Sequence, residues 1–343
     1  MNEAVPMALL MNDLHISETN IDEFRKNWHE AIDICNSKHI HILCIGGDMF
    51  TSRASQGLSP LICVSDILGG TPRENKMEIF IAEGNHDKVD PESWNGYNHL
   101  FNGYQSVHVA NDYATVFVSG NVWLIMMSYF PEKGSFQEKL EEVKEHIGKQ
   151  KCRQSVLYIH EGINGGLATP SEKELPSNIF DGFLKVLVGH YHDRKKIPGT
   201  NIEYIGASRQ HNFGEDEEKG YTVLYSDGST EFIKNTVNRR YKTIRMGYGE
   251  CAGDLSLEKE NGYVYRALIS CKQEEAEKID RQKLIDAGFS KVEIQTEDIV
   301  AEDVSQTSFN AKFDSQGIRD EYKNFCANAG HDSELGLKYM EDI

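Results

Sequence analysis

The chain has 343 residues, of which 39% are apolar, and its 36 basic and 54 acidic residues give a net charge of −18. This apolar content can bury a core, which excludes a disordered chain, and the length gives an expectation of about two domains. No apolar run approaches the ~18 residues of a membrane-spanning helix, and Met1 to Pro6 lacks the features of a signal peptide, so we expect a cytoplasmic protein without a membrane segment.

The first two thirds of the chain alternate short apolar runs with amphipathic stretches. The apolar runs that predict buried strands are Met7–Met11, Ile42–Ile45, Glu78–Ile81, Val156–Ile159 and Val186–Val188. Helical spacing covers Ile21–Cys35 and Phe136–Ile147, and a hairpin is predicted from Ala114 to Met127 with its turn at Ser119–Asn121. This alternation predicts a layered α/β domain over residues 1–235.

A second, smaller domain is predicted over residues 236–310. A strand-like segment, Asn235–Tyr248, leads out of the first domain, and the glycines from Gly247 to Gly253 indicate a linker. Beyond it, Tyr263–Ser270 and Lys291–Gln295 alternate as strands around a helical pattern at Glu274–Ala287. These elements form one βαβ unit.

The end of the chain, residues 311–343, is predicted to be a helical tail. Its two short helical patterns are Ile318–Asn328 and Ser333–Met340, and Ile318, Tyr322 and Phe325 fall on one face. So small a tail cannot bury its apolar stripe by itself. It must dock on a partner or fold back on the second domain, and the sequence leaves both interpretations open.

Metal-ligating residue types follow all five predicted strands. They lie in Asp13-Leu14-His15, Gly47-Asp48, Gly84-Asn85-His86-Asp87, His160 and Gly189-His190-Tyr191-His192. Because sites in open α/β sheets form where strands end, we expect these segments to meet. An isolated Asp-x-His or Gly-Asp is more often a turn than a ligand pair. All five segments occur in order and at strand ends, and chance alone explains this joint occurrence poorly.

These residue types suit a pair of divalent metal ions. Two ions about 3.5–4 Å apart clamp the attacking and leaving oxygens of an in-line displacement, and they need a short bridging carboxylate, which we assign to Asp48. Mixed carboxylate and imidazole ligands favour Mn²⁺, with Mg²⁺, Fe²⁺ or Zn²⁺ as alternatives. His86 lies between Asn85 and Asp87, so we predict that it donates a proton to the leaving oxygen while Asp87 orients it.

The ordered pattern D-x-H, G-D, G-N-H-D, H and G-H-x-H resembles the calcineurin-like metallophosphoesterase superfamily over residues 13–192. The resemblance implies an α/β fold, a four-layer β-sandwich flanked by helices. It also implies ligand sets for two metals, which share Asp48. These are Asp13, His15, Asp48 and His192 for the first metal, and Asp48, Asn85, His160 and His190 for the second.

Further segments are similar to the nuclease subunits of the SbcD family, which process DNA double-strand breaks. They are Tyr204–Ser208, Asn212–Glu215, Lys219–Tyr221, Gly47–Phe50 with Arg53, and Glu174–Pro176 with Ile179–Phe180. The chain departs from that pattern at Ser17, where glycine is common, and at Thr51, where an acidic residue is common.

The second resemblance implies a DNA exonuclease and endonuclease that acts in repair or recombination. As partners it implies DNA, an SbcC-like SMC-type ATPase gripped by the C-terminal helices, and a second copy of the chain, bound through helices near residues 55–69 and 90–105. It implies a small α/β capping domain beside the active site. The expected location is a bacterial or phage-infected host cytosol, or the nucleoid.

The net charge of −18 weighs against a nucleic-acid substrate, because such binding depends on neutralising phosphates. Basic residues that could contact phosphates are Lys185, Arg194, Lys195, Lys196, Arg239, Arg240 and Lys242, although each is equally readable as a solvated surface charge. Two alternatives stay open. One is a metallophosphoesterase acting on a small phosphoester or a phosphoprotein, which the acidic balance favours. The other is a non-catalytic scaffold of the same fold, which should lack ligands, and none is missing here.

Overall fold

The structure is a computed structural model that describes residues 4–90, 93, 95–117, 122–130, 135–167, 174–252, 260–296 and Cys326. Its strands are β1 Pro6–Met11, β2 Ile42–Gly46, β3 Glu78–Ala82, β4 Val107–Ala110, β5 Tyr113–Phe117, β6 Trp123–Met127, β7 Ser155–Ile159, β8 Lys185–Val188, β9 Lys195–Lys196, β10 Ile202–Tyr204, β11 Gly220–Tyr225, β12 Thr230–Lys234, β13 Arg240–Gly247, β14 Tyr263–Cys271 and β15 Lys291–Thr296. Its helices are α1 Ile21–Lys38, α2 Leu58–Asn75, α3 Ser135–Cys152, α4 Tyr248–Ala252, α5 Gln273–Ala276 and α6 Arg281–Ala287.

The first twelve strands form two six-stranded sheets. The first sheet has the order β12-β11-β1-β2-β3-β4, and the second has the order β5-β6-β7-β8-β10-β9. Strands β1 to β4 run parallel in the first sheet, and β6, β7, β8 and β10 run parallel in the second. Each parallel group therefore brings the carboxyl ends of its strands, and the loops that follow them, to one edge of its sheet.

The two sheets pack face to face, and helices cover both outer faces. Side chains alternate along β1, so Leu10 packs between the sheets with Tyr158, whereas Leu9 packs outward with Trp28 of α1. On the outer face of the second sheet, Leu140 of α3 packs into another buried cluster. Burial of each such side chain contributes about 1.5–3 kcal/mol. These four layers confirm the predicted α/β sandwich flanked by helices.

Several predicted helices have different limits in the structure. The helix predicted at Glu274–Ala287 is two helices, α5 and α6, because the N–H of Lys278 bonds to the carbonyl of Glu275 in a three-residue turn instead of continuing the α-helix. Between residues 90 and 105, the described part contains only a short 3₁₀ helix, Tyr97–Phe101. Helix α2 starts at Leu58 and covers most of the other segment, near residues 55–69, that the resemblance assigns to a dimer interface.

The predicted segment Asn235–Tyr248 is also shorter in the structure. Strand β13 starts at Arg240, because the side chains of Asn235 and Asn238 bond to each other at 2.8 Å and fold the preceding residues into a turn. The predicted linker contains α4, where Glu250 accepts a hydrogen bond from the N–H of Gly247. The predicted turn at Ser119–Asn121 and the helical patterns of residues 311–343 lie outside the described residues.

By internal packing, the chain divides into two compact units. The first contains residues 1–245, 254–268 and 281–293, and it includes both six-stranded sheets and every predicted site residue. The second contains residues 246–253, 269–280 and 294–343, and its described part holds α4 and α5. The domain boundaries predicted after residues 235 and 310 remain predictions.

No helix in the described ranges is long and apolar enough to cross a membrane.

Candidate metal centre

All seven predicted ligands meet at the carboxyl ends of the parallel strands. The loops that supply them follow β1, β2, β3, β7 and β8. The first two loops are joined by main-chain bonds from Asp13 to the carbonyl of Gly47 (3.1 Å) and from His15 to that of Asp48 (3.0 Å). Five of the seven side chains are buried, and those of His190 and His192 are partly exposed.

One group of donor atoms comes from Asp13, His15 and His192, whose ligand atoms lie within 4.8 Å of one another. Atom Nε2 of His15 is 3.1 Å from Nε2 of His192. Two imidazole nitrogens at this distance repel unless a proton or a cation lies between their lone pairs. Asp48 is next to this group, with its Oδ2 3.5 Å from Nε2 of His15.

The second group contains Asp48, Asn85, His160 and His190. Atom Oδ1 of Asn85 is 3.2 Å from Nε2 of His160 and 3.1 Å from Nδ1 of His190. Atom Oδ2 of Asp48 is 3.3 Å from Nε2 of His160, so this one oxygen reaches both groups, as a bridging ligand must. Asp13 also reaches both groups, because its Oδ1 is 3.9 Å from Nε2 of His160 and 4.0 Å from Nε2 of His192.

Hydrogen bonds outside the two groups fix the orientation of the imidazole rings. Nδ1 of His160 donates to the carbonyl of Gly46 at 3.0 Å, and Nδ1 of His192 donates to Oε1 of Glu215 at 2.8 Å. A neutral imidazole that donates from Nδ1 presents a lone pair at Nε2, and metal-binding histidines are usually held in this way. When Nε2 carries no proton, both rings direct ligand lone pairs at the centre.

Two buried carboxylates carry the negative charge of the centre. Within the described part of the chain, no lysine or arginine pairs with Asp13 or Asp48. Burial opposes ionisation of Asp48, but His160 and His15 hold its pKa well below the usual range. Burial likewise acts against the charged form of His160, yet Asp48 and Asp13 raise its pKa to about 10. Buried charges without partners are costly, so cations at this position would stabilise the carboxylates.

His190 is kept in its neutral form. Burial, and then the neighbouring His160, lower the pKa of His190 to about 4. A neutral imidazole is the form that binds a metal ion. The donor atoms and their spacing therefore fit two divalent ions, and a bound ion would replace the proton that the raised pKa of His160 keeps on that ring.

The loops that carry the ligands have strained backbone conformations. Asp13 (φ 52°), His15 (φ 45°), Asp48 (φ 52°) and His190 (φ 86°) are four of the seven non-glycine residues with positive φ in the described part. Such conformations cost about 1–3 kcal/mol each and persist only where the surroundings enforce them. They are concentrated at this centre.

Two side chains hold the first strained loop by its carbonyl groups. Nε2 of His211 donates to the carbonyl of Asp13 at 2.7 Å, and Nη2 of Arg209 donates to those of Leu14 (2.8 Å) and His15 (3.3 Å). Burial, and then the charge of Arg209, lower the pKa of His211 well below the usual range, so the ring stays neutral. We call Arg209 and His211 the carbonyl clamp.

The sequence analysis singled out neither residue of the carbonyl clamp. A signal was available, because both lie between two segments that carry the SbcD resemblance, Tyr204–Ser208 and Asn212–Glu215. Their partners are main-chain carbonyl groups, however, and because every residue carries such a group, no sequence motif indicates these bonds.

His86 lies at the exposed side of the centre. Its ring is 5.0 Å from the ring of His15, its N–H donates to Oδ1 of Asp48 at 2.8 Å, and its Nδ1 donates to the carbonyl of Thr51 at 2.6 Å. The Thr51 carbonyl, rather than the carboxylate of Asp87, therefore orients this ring.

Asp87 acts on the backbone of the loops instead. Its oxygens accept hydrogen bonds from the N–H groups of Gly84 (2.8 Å) and Phe50 (3.0 Å), which places the carboxylate beneath the loops. Burial, and then the charge of Asp48, raise its pKa to about 7. Among the hydrogen bonds of the described residues, none joins the carboxylate of Asp87 to the ring of His86, contrary to the prediction.

Two cavities adjoin the centre. The first, of about 480 Å³, is lined by His86, Arg239 and Tyr241, and the second, of about 560 Å³, is lined by Tyr191 and Lys195. His190 and His192 belong to the walls of both. The two cavities are thus neighbours at these two predicted metal ligands.

Fold and site together define a four-layer α/β sandwich protein whose centre suits two divalent metal ions. No protein-family model matches the chain. It is 25% identical over 219 residues to a protein of Invertebrate iridescent virus 6 provisionally named phosphoesterase 244L, and the match covers 63% of this chain and 74% of that protein.

Three solved structures are similar at low sequence identity. A dimetal phosphatase from Danio rerio has a TM-score of 0.40 and 10% identity, over 65% of this chain and 93% of its own. The nuclease MPE of Pseudomonas putida has a TM-score of 0.28 and 16% identity, over 56% and 64%. GAP50, the anchor in the inner membrane complex of Plasmodium, has a TM-score of 0.45 and 14% identity, over 89% and 99%. Likeness at this level assigns no function.

Proposed function

We propose that the protein is a two-metal-dependent phosphodiesterase that cleaves DNA. The observation that carries this proposal is the pair of ligand groups joined at Oδ2 of Asp48, with the imidazole of His86 beside them. The relative provisionally named a phosphoesterase supports the broader class, a hydrolase of phosphoesters.

The residues of the centre have different roles in the proposed phosphodiester hydrolysis. A bound pair of divalent ions, Mn²⁺ in our proposal, would supply a hydroxide nucleophile near neutral pH and neutralise charge on the phosphoryl oxygens. His86 keeps Nδ1 bonded to the Thr51 carbonyl, so a proton carried on Nε2 is the one that it can give to the leaving oxygen. Glu215 and the Gly46 carbonyl hold the rings of His192 and His160.

The two cavities that share His190 and His192 support a polymeric substrate. A phosphomonoester needs room on one side of the reacting phosphate, whereas an internal phosphodiester needs room on both sides. Because His190 and His192 line both cavities, a nucleic-acid strand could lie across the ligands with its chain continuing in each direction. We propose a role in DNA repair or recombination, with exonuclease and endonuclease modes.

We also propose two protein partners, on the SbcD resemblance alone. One is an SbcC-like SMC-type ATPase, bound by the amphipathic patterns in residues 318–340, and the other is a second copy of the chain. Co-purification of the full chain with the ATPase, lost when residues 311–343 are removed, would support the first pairing.

A second candidate function is hydrolysis of a small phosphoester or a phosphoprotein. The net charge of −18 favours it, because an acidic protein repels the DNA backbone unless its basic groups are concentrated locally.

One experiment separates these functions. The purified protein is incubated with Mn²⁺ and labelled duplex DNA, single-stranded DNA, an aryl phosphodiester or a phosphomonoester, with the variant His86→Ala as control. DNA degradation that is lost in the variant supports the nuclease. Hydrolysis of a small ester with intact DNA supports the second candidate, and metal binding without hydrolysis of any substrate supports a scaffold.

A further inference from the structure

The seven basic residues that the sequence offers as phosphate contacts differ in their polar partners, their exposure and the cavities that they line. Four have polar partners at 3.0 Å, namely Lys185 with Thr230, Arg194 with Glu203, Arg240 with the carbonyl of Asn235, and Lys242 with Glu260. Lys196 is exposed, and it is not among the residues that line the two cavities at the centre. Arg239 and Lys195 are both exposed and line one cavity each, whereas Lys185, Arg240 and Lys242 line neither, and Arg194, which lines the second, is bound to Glu203.

Arg239 is fixed at the edge of the first cavity by its main chain. The carboxylate of Glu23 on α1 accepts hydrogen bonds from the N–H of Arg239 at 2.9 Å and from the side chain of Asn238 at 3.0 Å. The guanidinium itself is only loosely engaged, with Nε 3.5 Å from Glu23 and a side chain that is 63% exposed. Its position is therefore set while its charge stays available to a ligand.

Lys195 lines the second cavity, as Arg239 lines the first. In the ladder of β9 and β10, Lys195 is paired with Tyr204 and Lys196 with Glu203. Because neighbouring side chains of a strand point to opposite faces, Lys195 shares the face of Tyr204, which also lines the cavity. Its Nζ donates to the carbonyl of Gly166 at 2.9 Å, which leaves two of its three hydrogens for a ligand.

The two acidic groups of the second cavity are already engaged by other residues, and the first cavity holds the predicted ligand Asp48 and Glu23, which binds Asn238 and the main chain of Arg239. Asp193 pairs with Lys219 at 2.5 Å, and Glu215 accepts the hydrogen bond from Nδ1 of His192. Local positive charge at Arg239 and Lys195 can therefore attract phosphates although the chain as a whole is acidic.

We propose that Arg239 and Lys195 bind the phosphates on either side of the one that is cleaved, an inference that rests on the proposed phosphodiesterase function. The preferred substrate is then an internal phosphodiester of a nucleic-acid strand with a phosphate on each side. An isolated diester offers these residues nothing to bind.

The test compares two substrates across five proteins in Mn²⁺. The proteins are the wild type, Arg239→Ala, Lys195→Ala and two control variants. Lys196→Ala removes the exposed cation next to Lys195 in β9, and Lys242→Ala removes an exposed cation of β13, three residues after Arg239. The substrates are a single-stranded oligonucleotide of about ten nucleotides, within the usual size of a single-strand site, and bis(p-nitrophenyl) phosphate, which lacks flanking phosphates.

We expect Arg239→Ala and Lys195→Ala each to raise KM for the oligonucleotide about fivefold. This increase should be at least three times the increase in KM for the aryl ester, because only the oligonucleotide loses a phosphate contact. Each should also reduce the slope of log affinity against log salt by about 0.7, the value for one contact with a single strand. The controls should change neither quantity.

The outcomes distinguish this inference from the function on which it rests. If the wild type cleaves the oligonucleotide but both variants behave like the controls, or lose equally on both substrates, the flanking-phosphate inference is wrong and the phosphodiesterase stands. If the wild type hydrolyses neither substrate, the proposed function fails and the inference with it.

Discussion

His86 is the residue on which the proposed chemistry most directly depends. Replacing it by alanine removes an imidazole beside the centre but no predicted ligand, and its main-chain bond to Asp48 is kept. We expect cleavage to fall about 10²–10⁴-fold, the usual contribution of a positioned proton donor, while Mn²⁺ and DNA affinities stay within twofold. Single-turnover cleavage and metal titration measure the two effects, and normal cleavage by His86→Ala would show that another group supplies the proton.

The carbonyl clamp gives a second prediction at the same scale. In His211→Ala the carbonyl of Asp13 loses its 2.7 Å bond, and the strained loop that carries Asp13 and His15 is less firmly held. We expect Mn²⁺ affinity to fall about 10-fold, as for other residues that orient metal ligands. Titration calorimetry measures this change.

The matched variant for the clamp is His211→Gln, whose side-chain amide can place an N–H donor close to the position of the imidazole Nε2. Recovery of at least half of the lost affinity, expressed as free energy, is expected in that variant. Equal affinities in the wild type and His211→Ala would mean that Arg209 holds the loop without help.

Glycines at the strand ends allow the loops to approach one another. A Cβ added at Gly84 would lie 2.2 Å from Oδ1 and 2.4 Å from the main-chain nitrogen of Asp48, whereas one added at Gly103 would have no heavy atom within 4 Å. Gly84→Ala must therefore displace the predicted bridging carboxylate, at a cost of about 1–3 kcal/mol in stability, and we expect loss of tight Mn²⁺ binding. Thermal unfolding and metal titration beside Gly103→Ala check this, and equal behaviour of the two variants would contradict the close approach.

Helix α1 is tied by Glu23 to the turn before β13. Partial burial opposes ionisation of Glu23, but hydrogen bonds from Arg239 and Asn238 lower its pKa to about 2, from an ordinary 4.5. A depressed pKa stabilises the fold above pH 4.5, and that stability is lost as the pH falls towards 2. We expect Glu23→Gln to lower Tm at pH 7 by a few degrees at most and to match the wild type near pH 2. A difference independent of pH would show that packing, not charge, is responsible.

The elements differ in how far the sequence could predict them. The strands β1, β2, β3, β7 and β8 were predicted because fully buried parallel strands are continuous apolar runs with ligand residues directly after them. The break between α5 and α6 was missed because their apolar spacing continues through it, and the start of β13 was missed because it depends on a bond between two asparagine side chains. Asp13 and His15 were predicted to be ligands, but their left-handed backbone depends on distant residues of the carbonyl clamp.

At the scale of the whole molecule, the centre joins the two sheets. The loops of the first sheet supply Asp13, His15, Asp48 and Asn85, and those of the second supply His160, His190 and His192. A ligand that binds only the folded form stabilises it by RT ln(1 + [L]/Kd). Bound metal should therefore hold the sheets together as well as serve the reaction.

This arrangement gives a prediction for metal removal. Mn²⁺ at 100 times its Kd should stabilise the fold by about 2.7 kcal/mol, and a chelator should reverse the effect. In Asp48→Ala, which removes the oxygen shared by both ligand groups, we expect no stabilisation by Mn²⁺, and the control Asp33→Ala, an exposed acid on α1, should keep it. Calorimetric melting with and without Mn²⁺ measures the shift. An undiminished shift in Asp48→Ala would mean that the ions bind elsewhere on this acidic protein, and the assignment of the centre would fail.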